Sequence, residues 1–334
     1  NLALTNATSK WILVLDADET LEFDSSLELL DLINKNDFDA LTVKIHNFID
    51  DSLCKYEIIP LTRVFKNNES YRYEGIIHEQ IKNSILRNSG KIKESNIKIL
   101  HSGYKTPNNF KIKRNIELLK KALEFDPNNY YYIYQLGLTL FSQDNNDESI
   151  NYLLKAYEFS KNNPDFFSEY SFEKLLLKIS QYYLQHNEIE KAEEFNNILL
   201  SKNDKNYVSK YVKAAILFEK KEFQKSLEIL NELKNCLIEN KIDELDIHQI
   251  YIDLGNNYYI LEDYESAFNC FQKALEINNN SYIACYNIAH LLFKIGHYED
   301  AKTMFEWSLK LNPSLVKAKE MINKIKELLT KKNE

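Results

Sequence analysis

The chain has 334 residues, 44% hydrophobic and 28% charged, enough for about two globular domains. A net charge of −8 argues against nucleic acid as a partner, because phosphate contacts want a basic surface. No apolar run approaches the roughly 20 residues that span a bilayer, and no signal peptide opens the chain. The four scattered cysteines at 54, 236, 270 and 285 suit buried thiols in a reducing cytoplasm.

Residues 1–105 mix strand and helix signals. The run WILVL at 11–15 lacks alternation, the pattern of a short, fully buried central parallel strand. It leads straight into Asp16, Asp18 and Glu19, and open α/β sheets collect ligands at the carboxyl ends of such strands. In an extended segment, residues i and i+2 point the same way. Asp16 and Asp18 are therefore expected to present two carboxylates on one side. A divalent cation would remove their repulsion, and hard oxygen donors suit Mg²⁺ or Mn²⁺. The plainer alternative is that these acids end a strand and open a helix, with Thr20 or Asp24 as its cap. SSLELLDLINK at 25–35 follows as an amphipathic helix. FDALTVKIHNFI (38–49) and IIPLTRVFKN (58–67) read as strands, and YRYEGIIHEQI (71–81) and IKILHSGY (97–104) continue in that style.

After Lys111 the pattern is helical throughout, and only 6 Gly and 5 Pro in the whole chain agree with much helix. Tyr251, Leu254, Gly255 and Tyr258, then Ala267, Phe271 and Ala274, fit the tetratricopeptide spacing. Small residues recur at the same place, Gly137, Ser180, Ala214, Gly255 and Ala289, in steps of 43, 34, 41 and 34 residues. The expected organisation is an α/β domain over 1–105, a connecting helix over 106–129, five repeats over 130–314 and a capping helix over 315–334. In such an array each helix pair buries its apolar face only against its neighbours. The tyrosines at 130, 131, 132, 134, 182, 183, 258 and 259 are therefore expected to be mostly packing.

Two chemistries compete for the acidic motif. Asp16, Asp18 and Thr20 resemble the D-x-D-x-T motif of haloacid-dehalogenase-like phosphatases. That family needs a later Lys and a second acidic pair on a completed sheet; Asp50-Asp51 stands without such a Lys. The longer segments NLALTNATSKWILVLDADE (1–19), RVFKNNESYRYEGIIHEQI (63–81) and ILHSGY (99–104) resemble the family 2 glycosyltransferases of the GT-A fold. More narrowly they resemble the bacterial sublancin S-glycosyltransferase-like subgroup, which carries a tetratricopeptide tail.

This resemblance implies a fold and a chemistry. The fold is a partial GT-A (Rossmann-like) α/β domain followed by an all-α tetratricopeptide solenoid. The chemistry is metal-dependent, inverting transfer from a nucleotide-diphosphate sugar to a polypeptide or glycan acceptor. By position, Asp16, Asp18 and His101 match the metal site for Mn²⁺ or Mg²⁺. Glu79, after Gly75 and His78, matches the acidic general base. Glu19, Arg63, Tyr104 and His78 are placed near substrate, with a basic edge as the alternative for Arg63 and Arg72 and a backbone hydrogen bond as the alternative for His78. The repeats would bind acceptor, a subunit or a second copy. In that family about two βα units, roughly 70–100 residues, precede the D-x-D and build the nucleotide pocket. The chain, opening on Asn1, is thus expected to be a fragment with the metal and acceptor side of the site, inactive alone. The alternative function is a non-catalytic tetratricopeptide scaffold with a vestigial α/β stub.

Overall fold

The computed structural model describes residues 1–35, 37–48, 56–75, 79–101, 109–143, 146–164, 166–239 and 245–333. They form two compact units, Asn1–Tyr182 and Tyr183–Glu334. An α/β region comes first and an all-α array of helix pairs follows, the expected fold class.

In the first unit a short helix α1 (Leu2–Thr5) precedes strands β1 (Trp11–Leu13) and β2 (Glu19–Leu21), then helix α2 (Phe23–Lys35). Strands β3 (Ala40–Phe48) and β4 (Tyr56–Lys66), helix α3 (Lys82–Arg87) and strand β5 (Ile92–His101) complete the α/β part. The sheet order is β1-β4-β3-β5-β2. Only β3 and β5 pair in parallel; β1–β4, β3–β4 and β2–β5 are antiparallel. One side of the sheet buries Leu41, Val43, Ile45, Val64 and Ile99 with Leu29 of α2. A second cluster gathers Phe65, Tyr71, Ile81 and Ile85.

The apolar run at 11–15 is not a central parallel strand. β1 is three residues long, half-buried, and pairs antiparallel with β4 at one end of the sheet order. Trp11 earns the look of a core position by packing on Phe38, ring centroids 5.2 Å apart, under the ammonium of Lys66. YRYEGIIHEQI contributes no strand among its described residues, only an isolated bridge between Glu74 and Gln80. Thr20 lies in β2, so it caps no helix; Asp24 lies in the first turn of α2.

Asp39 fastens the start of the central strand. Its Oδ2 accepts the Lys91 backbone N–H at 2.8 Å and its Oδ1 accepts Lys66 Nζ at 3.0 Å. These two bonds hold its carboxyl below the ordinary aspartate range, the backbone bond first.

Helix α4 (Asn109–Phe125) opens the helical part. The pair α5 (Tyr130–Phe141) and α6 (Asn146–Asn162) follows, and α7 (Glu169–Gln185) contains the boundary between the units. The second unit continues with α8 (Ile189–Lys202), α9 (Tyr207–Glu219), α10 (Phe223–Ile238), α11 (Ile247–Ile260), α12 (Tyr264–Ile277), α13 (Tyr282–Lys294), α14 (Tyr298–Leu311) and α15 (Val316–Asn333). The helices start by rule: the side chains of Asn129, Asn206, Asp246, Asp263 and Ser281 each accept a backbone N–H of the first turn. The inner turns of the pairs repeat as well. Asn187, Lys221, Glu262 and Gly296 all have positive φ, 57°, 63°, 62° and 88°. Each follows its small residue (Ser180, Ala214, Gly255, Ala289) by seven places, so backbone and packing share one register.

The small residues sit where helices cross. A Cβ on Gly255 would meet the Phe271 ring at 2.4 Å, and one on Gly137 would meet Leu153 at 2.7 Å. Of the cysteines, Cys285 is buried and Cys236 and Cys270 are half-buried, all free; Cys54 lies outside the described residues. No helix among the described residues is long and apolar enough to cross a membrane.

Two predictions test this packing. Gly255→Ala should lower stability by about 1–3 kcal/mol, read from the urea midpoint, because the Phe271 ring is fully buried and cannot move aside. An unchanged midpoint would contradict the close crossing. Asp39→Asn should cost about 1–2 kcal/mol at pH 7. Because the folded carboxyl titrates below the unfolded one, that contribution is complete above the usual aspartate pKa and disappears as pH falls through the lowered folded value. The stabilities of wild type and variant should therefore converge in acid.

Candidate functional site

The chain leaves β1 through a turn, not an extended segment. The Glu19 backbone N–H donates to the Asp16 carbonyl at 3.0 Å, and the Asp16 N–H donates to Glu19 Oε2 at 2.9 Å. Residues 16–19 are thus not extended, and the two aspartates have different partners. Asp16 accepts from Arg63, 2.9 Å. Asp18 lies 3.2 Å from His101 Nε2.

Arg63 reaches the turn because of a β-bulge. In the β3–β4 ladder Leu41 faces Val64 and Thr42 faces Thr62, so Arg63 is an extra residue on β4. Such bulges re-aim a side chain. Its guanidinium also bonds Glu19 at 3.0 Å, with the two side chains 15% and 2% exposed. Glu19 was expected near substrate; buried beneath Arg63 and closing the turn, it has no surface to offer one. The Tyr73 hydroxyl is buried beside this pair and next to Arg63. Burial pushes the Tyr73 phenol up, against the pull of Arg63.

The other half of the site is one rung of the sheet. Asn47 of β3, His101 of β5 and Glu19 of β2 are in register across the three strands. Asn47 is buried, and its Oδ1 lies 2.7 Å from His101 Nδ1. That contact fixes the ring, so Nε2 faces Asp18. The Asp18 side chain is 49% exposed and that of Asp16 is 60% exposed, so both acids reach solvent. Burial works against the charge on Asp18, but its own backbone hydrogen bond, the bond to His101 and the charge of Lys111 outweigh it. The carboxyl sits below the ordinary range.

Asp18 and His101 together suit a hard divalent cation. The imidazole Nε2 and a carboxylate face each other, and the second ring nitrogen is tied back to a buried amide, the arrangement that orients metal-ligating histidines. Mg²⁺ sites commonly use one or two protein groups and leave the rest to substrate phosphates and water. Asp16 is not the third donor in this arrangement: no group of three His, Cys, Asp or Glu side chains converges among the described residues. Its carboxylate shares the Arg63 guanidinium with Glu19.

Glu79 is exposed in the loop beside Gln80 and makes no hydrogen bond or ion pair among the described residues. His78 and Tyr104 lie outside those residues. Asn47 escaped the sequence reading. Its signal was a polar residue on the strand parity of Leu41, Val43 and Ile45, a position that otherwise faces the core.

Comparison with known proteins finds two kinds of likeness. A tetratricopeptide repeat model matches residues 130–163, 248–281 and 282–315. Over 162 residues the chain is 27% identical to the SPbeta prophage-derived glycosyltransferase SunS of Bacillus subtilis, and equally to glycosyltransferase SunS of Bacillus phage SPbeta. These alignments take in 47% of this chain and 37% of the relatives, so the chain spans well under two thirds of their length. Among solved structures, the APC/C hetero-tetramer Cut9-Hcn1 superposes with a TM-score of 0.52 at 16% identity, covering 65% of this chain and 40% of that one. That likeness is one of fold.

Removing Arg63 should leave Glu19 buried and unpaired. Arg63→Ala is expected to cost roughly 3 kcal/mol, measured by chemical denaturation of the α/β part. A change under about 0.5 kcal/mol, the size of an ordinary surface substitution, would mean the pair does not hold the turn. The chain thus combines tetratricopeptide repeats with partial similarity to a glycosyltransferase.

Proposed function

We propose that this chain carries the metal and acceptor side of an inverting glycosyltransferase of the GT-A type, which uses a nucleotide-diphosphate sugar and Mn²⁺ or Mg²⁺. The observation that supports the reading is the rung Asn47–His101 with Asp18 against Nε2, in a chain similar to a glycosyltransferase. Asp18 and His101 would hold the cation. When bound, the cation supplies charge that stabilises a departing diphosphate. Arg63 and Glu19 hold the turn that presents Asp18. Glu79 is the group we assign to accept the proton of the attacking acceptor, which inverts the anomeric centre. The repeats take the polypeptide acceptor or a further subunit.

A second reading rests on Asp16. One acid of the D-x-D already shares the Arg63 guanidinium with Glu19, as it would in an α/β part that serves only to support a binding array. The two readings part on one experiment. In the full-length protein, Asp18→Ala should abolish sugar transfer in a nucleotide-sugar screen with Mn²⁺, while its circular dichroism matches wild type. Turnover at the wild-type rate by that variant would sink the enzyme reading. A wild-type protein with no transfer but with a peptide bound to the repeats would establish the scaffold.

A further inference from the structure

The loop that carries Glu79 is tied to the repeat array. The Gln80 side-chain amide donates to the Tyr131 hydroxyl at 2.6 Å. Tyr131 belongs to α5, the first helix of the first repeat pair, and packs with Leu119 of α4 and Leu136. Burial pushes its hydroxyl up to about 12, so the group stays protonated at any working pH.

The loop itself is closed at its neck. The Glu74 N–H donates to the Gln80 carbonyl at 3.1 Å, and the Gln80 N–H to the Glu74 carbonyl at 2.9 Å. Gly75 starts the loop at φ +118°, a conformation L side chains rarely adopt. The Glu74 side chain is held by Arg87 of α3. Glu79 makes no hydrogen bond or ion pair of its own among the described residues, and its described neighbour is Gln80. Gln80 is anchored by Tyr131.

We infer that Tyr131 is a positioning residue: through Gln80 it fixes the backbone next to Glu79, so the first repeat helix sets the acceptor side of the site. The inference rests on the proposed role of Glu79 for its effect on rate, but not for its effect on the loop. A hydrogen bond between half-buried side chains is worth enough to change the opening of a short loop, and its loss leaves a polar group unpaired. The repeats would then do more than tether an acceptor, because displacement of α5 would move the base.

Tyr131→Phe in the full-length protein tests this, since it removes the hydroxyl and keeps the ring. Hydrogen exchange at the Glu74 and Gln80 amides should quicken about fivefold, with the β3 amides unchanged. Gln80→Leu should do the same, and the double variant should exchange no faster than either single one. Transfer should lose about tenfold in kcat with the donor KM unchanged. Unchanged exchange at Glu74 and Gln80 would overturn the joint. Faster exchange with an unchanged kcat would overturn the positioning role. Glu79→Gln, assayed alongside, keeps the two ideas apart: full activity in that variant would count against the base assignment while the exchange result still decides the joint.

Discussion

The α/β part depends on a buried ion pair. Glu19 is almost wholly enclosed, and among the described residues Arg63 and the Asp16 N–H make that tolerable. Enclosing a carboxylate without a partner would cost several kcal/mol. The pair therefore forces three features together: a bulge in β4 that delivers Arg63, a tight turn after β1, and a β2 that begins in register with His101. Asp16 and Asp18, at the two ends of this turn's acidic motif, take different partners. The site is asymmetric as a result, with one acid answered by a guanidinium and the other facing an imidazole.

The helical array obeys a different constraint. Helix pairs must cross closely, and the crossing admits Gly, Ala or Ser and nothing larger. The same spacing sets the left-handed turn residue seven places later. Three of those turns use Asn, Lys or Glu, which accept strain that glycine would avoid. The aromatic stripe follows the same logic: Tyr130 stacks on Phe159 at 3.6 Å and Tyr183 on Phe195 at 5.8 Å, inside their own units. Tyr131 departs from it by spending its hydroxyl on the α/β part.

What could be read from the chain alone depended on how far each signal repeats. The array was legible because a period of 34 recurs several times and each copy confirms the others. Helix α2 was legible from its apolar spacing, with Leu29, Leu32 and Ile33 against the sheet. The place of β1 was not, because a short apolar run looks the same in a central strand and in a half-buried one packed on Phe38. The roles of Asp16 and Glu19 were hidden for a tertiary reason. Their partner Arg63 lies more than 40 residues away and reaches them only through a bulge. His101 lies beside Asp18, and Asn47 became visible only with the strands in register.

In the proposed function Asp18 and His101, oriented by Asn47, hold the cation and Asp16 does not. The most direct measurement is a Mn²⁺ titration followed by electron paramagnetic resonance, in the presence of a nucleoside diphosphate. It compares the full-length wild type with Asp18→Ala, His101→Ala and Asp16→Asn. The account predicts that the first two variants lose at least about tenfold in Mn²⁺ affinity, as removal of a ligand should, and that Asp16→Asn binds within about threefold of wild type. Equal binding by Asp18→Ala and wild type, or a larger loss in Asp16→Asn than in His101→Ala, would contradict it.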